Sequence, residues 1–404
     1  MRPRDELATA RLLLDTLSLG DSVDTGQLRA RWALAPHGAL VTLAKYEGAE
    51  LWLAQRLRAL GITLAEAPAA ALDAAATRTR ARTMRADAAL VAVLEAFRAA
   101  QVDCILLKSA ALRRLTARLP MAGARATSDV DLLVPEADGD HALGVLRARG
   151  WSLLDAPHGA GSDDPAVAAP RAPIAPSNER GTMRAERMGA PHHHLPSVAD
   201  ASGVAIELHT TTGHAVRPME AWRRAVADRQ PANLDGVVAW APGDSWLLLH
   251  AVAHGLGDAG ERARSGLRLR YWLDGAILIA GNTLRWDVIR ERVGTGETGP
   301  PALARAWLWT AAGIAGCRVG IDELGSGEVA AFELDRLLAW RLRVLERHDA
   351  TSRWGRKLLE EGARIEAGLP PELAWSPEPL RARVRRRAAQ WLARAHWAWW
   401  RAQT

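Results

Sequence analysis

Ser128-Asp-Val-Asp-Leu-Leu-Val134 is the stretch on which the fold turns. Residues 129–134 form a short apolar run with acids at alternate positions, which reads as a strand suited to burial. Side chains two apart on a strand point to the same face, so Asp129 and Asp131 stand side by side. Burying two like charges together is costly unless a positive charge lies between them. A divalent cation is a natural compensator, and oxygen donors suit Mg2+ or Mn2+. The pair is also compatible with a strand start whose acids face water.

Upstream, VDCILL (102–107) reads as another strand. Lys108-Ser109 closes it and opens a helix over 110–119, up to Pro120. Free N–H groups at a helix start, with a hydroxyl and an ammonium, can hold phosphate. Lysine is rare here, confined to Lys45, Lys108 and Lys357, so Lys108 is not a habit of composition. A plain helix start is the other reading of this pair. Downstream come a helix over 136–149, Gly150, and a strand over 151–154. The strand–helix–strand–helix–strand rhythm marks an α/β unit.

Residues 155–191, rich in Pro, Ala, Gly and Ser, interrupt it and read as a mobile insertion. Strands over 194–198 and 204–208 follow, joined by 199–203 as a hairpin. On the second, Glu207 and His209 share one face and Ile206 and Leu208 the other. If this strand lies near 129–134, Glu207 becomes a third carboxylate. Three carboxylates can hold two metal ions roughly 3.5–4 Å apart, an arrangement that activates an attacking oxygen and steadies a leaving phosphate.

The flanks are helical. Apolar stripes run over 12–17, over 38–60 up to Gly61, and over 80–100. From about residue 243 the chain is helical again, with Asp244 as N-cap of 246–254. His250 and His254 stand at i, i+4, a spacing open to zinc. The segment His-Ala-Val-Ala-His lacks the Glu of a zincin, and packing against polar neighbours is the plainer reading. His192–His194 reads as a surface loop. The Arg- and Trp-rich tail, 379–404, reads as an amphipathic helix packed on its own domain, with membrane or RNA binding as the alternatives.

Composition sets the outer limits. The chain has 404 residues, enough for two or three domains. A hydrophobic fraction of 49% and a charged fraction of 24% exclude a wholly disordered or collagen-like chain. A net charge of +6 permits nucleotide or nucleic-acid binding without arguing for it. Cys104 and Cys317 are too few for a disulfide framework or a cysteine zinc site, and a reducing cytoplasm is the expectation. No apolar run reaches about 18 residues, and the charged start shows no secretory signal.

Leu106-Leu-Lys-Ser-Ala-Ala-Leu112 followed by Ser128-Asp-Val-Asp-Leu-Leu-Val134 resembles the nucleotidyltransferase superfamily to which DNA polymerase beta belongs. The chain is more closely similar to a bacterial family of uncharacterised nucleotidyltransferases. That family shows a Lys-Gly-Ala-type segment, an Arg before the acid pair, a helix ending at Gly-aromatic, and a later Glu-Leu-His. Here Arg125, Gly150-Trp151 and Glu207-Leu-His209 fill those places, and the similarity covers about 85–290. Ser109 stands where the close family usually has Gly, and the 155–191 insertion separates the first two acids from the third.

The resemblance implies an α+β fold, a small mixed-sheet nucleotidyltransferase core. The core would span 101–240, between an N-terminal helical segment, 1–100, and a C-terminal helical domain, 241–404. It implies metal-dependent transfer of a nucleoside monophosphate from an NTP to an acceptor hydroxyl. Asp129, Asp131 and Glu207 would be catalytic and hold Mg2+ (or Mn2+). Lys108, Ser109, Arg125 and His209 would bind the nucleotide. The acceptor is open: a small molecule, a peptide, a protein or RNA. The alternatives are a catalytically inactive nucleotide- or RNA-binding protein with the same fold, and a helical scaffold acting through the tail.

Overall fold

A computed structural model describes residues 3–20, 24–115, 123–154, 195–212, 217–262, 268–281, 283–317 and 334–347. The 155–191 insertion, His192–His194 and the 379–404 tail lie outside the described residues.

Five helices come first: α1 (Pro3–Leu17), α2 (Thr25–Ala33), α3 (His37–Glu47), α4 (Glu50–Leu60) and α5 (Glu66–Ala99). Then come α6 (Lys108–Leu112), α7 (Gly139–Ala148), α8 (Pro218–Ala227), α9 (Asp244–Arg262) and α10 (Leu269–Ala280). The last are α11 (Trp286–Gly294), α12 (Pro301–Ala315) and α13 (Leu334–Arg347). The stripe over 38–60 is two helices rather than one. Gly48 ends α3 at φ +69°, and a side chain there would come within 3.2 Å of the Arg270 side chain. Only glycine reaches that conformation without a steric penalty.

The main sheet holds β1 (Ile105–Leu106), β2 (Asp129–Leu133), β3 (Ser152–Leu153), β4 (Val198–Ala199) and β5 (Ala205–His209), in the order β1-β2-β5-β4-β3. β2 and β5 run parallel at its centre, and the other neighbours are antiparallel. The architecture is a mixed α+β fold with a five-stranded sheet flanked by helices. Several strands are shorter than the sequence suggests. Residues up to Val102 are spent on ending α5, where Val102 N–H donates to the Phe97 carbonyl at 2.8 Å. Leu195 still bonds the Leu208 carbonyl through its N–H, at 2.7 Å, but the ladder itself begins at Val198. The 199–203 turn is tied by Asp200, whose carboxylate accepts from the N–H groups of Ser202 and Val204 at 2.9 Å each.

A second hairpin, β6 (Gln230–Leu234) and β7 (Val237–Ala241), was not anticipated. Its turn is Asp235-Gly236, both at positive φ, +50° and +88°. An Asp-Gly pair between alternating residues is a strong hairpin signal, so this element was legible and was missed.

Period-2 alternation divides the main sheet into two faces. Leu106, Val130, Leu132, Ile206 and Leu208 are fully buried in the main core. The opposite face carries Asp129, Asp131, Glu207 and His209, with Ile105 and Leu133 in a small separate cluster against Ala225, Trp222 and Trp246.

Helices from both ends of the described chain share the main core. α1 packs along α13, and Arg343 reaches Glu6 at 2.7 Å. Between α3, α10 and α13 lies a buried polar joint. Glu47, fully buried, accepts from Arg341 at 2.6 Å and from the Leu269 N–H at 2.7 Å. It thereby satisfies an orphan donor at the start of α10.

α10 packs so closely on α12 that it has no room for a methyl at Gly275. A Cβ there would lie 2.5 Å from the buried Trp307 ring. Gly275→Ala is expected to cost about 1–3 kcal/mol in a denaturant melt, because overpacking a rigid aromatic contact outweighs the gain in helix propensity. No helix among the described residues is long and apolar enough to cross a membrane.

Candidate active site

The parallel pairing of β2 and β5 builds the site. Its register sets Asp131 opposite Glu207 and Leu133 opposite His209. Paired residues on neighbouring strands share a face, and the strands lie about 4.8 Å apart. The ligand atoms of Asp131, Glu207 and His209 accordingly lie within 4.8 Å of one another. Asp129 is two residues earlier on the same face and outside that trio.

Lys108 enters from the β1–α6 junction. The Leu107 N–H bonds the Asp131 carbonyl at 3.0 Å, which anchors the junction against β2. Lys108 itself sits at φ +46°, a left-handed conformation uncommon for a residue with a side chain. The demanding backbone position is therefore Lys108 and not Ser109. Ser109 is buried in the turn behind it. The Lys108 ammonium lies 2.6 Å from Asp131 Oδ1 and 4.0 Å from Glu207 Oε2. His209 Nε2 meets the same two oxygens at 2.8 and 3.7 Å.

The electrostatics follow from that crowding. Burial opposes ionisation of Asp131, but Lys108 and the His209 hydrogen bond outweigh it and hold the carboxyl well below its usual range. Burial and the Asp131 charge push Glu207 up to about 7. The same two causes raise Asp129, against Lys108, Arg270 and Arg125. Burial opposes the Lys108 charge as well, yet Asp131, Glu207 and Asp129 keep its pKa above the ordinary lysine value. Burial lowers His209, so the imidazole is neutral near pH 7. A neutral ring facing an ionised Asp131 must carry its proton on Nε2 and donate it. In that tautomer Nε2 is a donor and not a metal ligand.

One wall of the site is aromatic. Trp246 stacks on His250 at 5.4 Å and His250 on His254 at 6.2 Å, while His254 meets the Tyr271 ring edge-on at 5.2 Å. Burial and then the Lys108 charge depress His250 to about 3 and His254 well below its usual range. These histidines pack as neutral rings beside the charged cluster, against one another and the Trp246 and Tyr271 rings, where the sequence suggested polar neighbours.

Arg125, which the resemblance assigns to nucleotide binding, is held by α10. Its guanidinium forms a two-pronged ion pair with Asp274 of α10, at 2.5 and 3.1 Å, and also donates to the Ala126 carbonyl. Asp274 was not singled out as a site residue, although an acid inside the apolar run YWLDGAILIA signals a buried partner. The pair ties the strand that carries the aspartates to α10.

The donor chemistry fits a hard divalent cation. Asp131 and Glu207 face one ammonium, with Asp129 beside them, and burial and then the Asp131 charge raise Glu207 and Asp129. Asp131 and Glu207, with Asp129 beside them, would hold the ion.

A family model described as uncharacterised nucleotidyltransferase matches residues 35–310. That is more than half of the chain, and the chain belongs to that family. No curated protein and no solved structure matches it.

Proposed function

We propose that this member of the uncharacterised nucleotidyltransferase family moves a nucleoside monophosphate from an NTP to an acceptor hydroxyl, with Mg2+ or Mn2+ bound. Family membership supports nucleotidyl transfer in general. The observation that carries the finer reading is the β2–β5 register, which sets Glu207 beside Asp131 on the face that also bears Asp129. A bound divalent cation supplies charge neutralisation and polarisation of phosphate oxygens.

The chain's own residues do the rest. Asp129, Asp131 and Glu207 hold the cation and fix its place. The acceptor oxygen attacks the α-phosphorus, and the bond from that phosphorus to the pyrophosphate oxygen breaks with its electron pair. Glu207 completes the cation site and helps take the acceptor's proton. Lys108 neutralises the leaving pyrophosphate, and Ser109 supports the turn that presents it. His209 donates to Asp131 and keeps that carboxylate oriented. Arg125, fixed by Asp274, contributes positive charge beside Asp129.

The rival reading is a nucleotide- or RNA-binding protein without turnover. Its support is Lys108, since an ammonium lodged against Asp131 can neutralise the site with no metal at all. The test is to incubate the protein and cell extract with each of four labelled NTPs and Mg2+ or Mn2+. Label should move to a discrete acceptor fraction and be absent when both aspartates are replaced. Equal labelling by the double variant would sink the assignment.

Glu207→Gln keeps the shape and removes the charge. Transfer is expected to slow about 100-fold, with NTP affinity changed by no more than about threefold. Single-turnover kinetics beside equilibrium NTP binding separates the two.

A further inference from the structure

We propose that the Lys108 ammonium is a built-in counter-cation standing in the metal position, so that a divalent ion enters the site by displacing it. The inference deepens the proposed function, since it concerns the same carboxylates.

The geometry carries it. Lys108 Nζ reaches Asp131 Oδ1 at 2.6 Å and faces Glu207 Oε2 at 4.0 Å. Those atoms belong to the two carboxylates that the register makes neighbours. A cation held through Asp131 Oδ1 and Glu207 Oε2 would take the space that Nζ fills. The remaining approach to the same two oxygens is taken by His209 Nε2, at 2.8 and 3.7 Å, on a ring only 1% exposed. The imidazole is packed in and is the donor less free to leave. Lys108 sits on a flexible four-carbon stem, is 16% exposed, and can swing outward.

The backbone agrees. A residue with a side chain in the left-handed region costs of order 1 kcal/mol or more and persists where the surroundings fix it. At Lys108 that conformation, φ +46°, aims the stem back across the strand end toward the carboxylates. Of the other cations that act on Asp129, Arg125 is committed to Asp274, and Arg270 donates to the Tyr271 hydroxyl at 3.1 Å. Exchange therefore gives Lys108 two positions. Without metal it neutralises the carboxylates, and with metal it is released toward the outer phosphates of an NTP.

The test uses Mn2+ alone, without nucleotide, on the full chain. Lysine occurs only at 45, 108 and 357, so peptide mass spectrometry resolves each lysine that an amine-reactive ester reaches. Lys45 is exposed and serves as the internal standard for reagent reactivity with and without Mn2+. Saturating Mn2+ is expected to raise the labelling rate of Lys108 by about tenfold over the metal-free protein, with Lys45 unchanged, because an ion-paired ammonium is protected and a released one is not. Lys108→Met should bind Mn2+ about tenfold more tightly than wild type, read by water-proton relaxation, because no ammonium has to be displaced.

Unchanged or slower labelling of Lys108 under Mn2+ would overturn the inference, as would absence of Mn2+ binding. Equal or weaker binding by a folded Lys108→Met would do the same. If that variant does not fold, the wild-type labelling decides. No step depends on transfer. A chain that passes here but moves no label from NTP keeps the exchange and loses the transferase reading. The reverse outcome removes only the exchange.

Discussion

Asp129→Ala and Asp131→Ala are each expected to reduce metal-dependent transfer at least about 1,000-fold, since each removes a carboxylate from the cation site, while moving stability in opposite directions. From the sequence alone both look like relief of repulsion between crowded acids. The structure separates them. Asp129 is raised by burial and by its neighbour's charge, so its loss leaves metal-free stability unchanged or higher. Asp131 is the acceptor for both Lys108, at 2.6 Å, and His209, at 2.8 Å. Removing it strands an ammonium that is 16% exposed and a donor that is 1% exposed. Breaking one side of such a buried pair costs about 3–5 kcal/mol. Urea melts of the two variants in chelator are the measurement. A stable Asp131→Ala would show that Lys108 and His209 do not depend on it. Wild-type-like turnover in either variant would remove the aspartates from the site.

Arg341→Met is the second large effect, at the buried joint between α3, α10 and α13. Arg341 is 2% exposed and bonds the fully buried Glu47 at 2.6 Å. Without the guanidinium, Glu47 keeps the Leu269 N–H as a partner and loses the basic side chain that faces it in the core. The expected loss is about 3–5 kcal/mol. Replacing both partners, Glu47→Leu with Arg341→Met, should recover part of it, because two apolar side chains leave no buried charge but the Leu269 N–H loses its acceptor. A double-mutant cycle on urea midpoints measures this directly. Equal destabilisation by the single and double variants would mean that packing, and not the ion pair, holds the joint.

Several parts of the site were legible locally. The alternation D-V-D-L-L-V fixed which residues of β2 face together, and E-L-H did the same for β5, because strand periodicity is two and needs no partner to be read. Ile206 and Leu208 went to the core face for the same reason. The rarity of lysine marked Lys108 before any contact was known. The Asp235-Gly236 hairpin is equally local, since the pair takes positive φ between two alternating runs. The stripe over 38–60 misled because its apolar spacing continues through Gly48, and only the close approach of Arg270 shows why the helix must stop there.

What the sequence determined by itself is thus a set of faces: two acids on one strand, an acid and an imidazole on another, and apolar residues behind each. Which strands lie side by side was decided by the tertiary structure. Parallel pairing of β2 with β5 joins residues far apart in the chain, and no local periodicity encodes a register between them. The same holds for Arg125, whose partner Asp274 lies 149 residues away. It holds also for Lys108, whose left-handed backbone points its charge at Asp131 and not outward. Local pattern sets the direction a side chain can take. The charge that finally meets it depends on which distant segment the burial of apolar faces brings alongside.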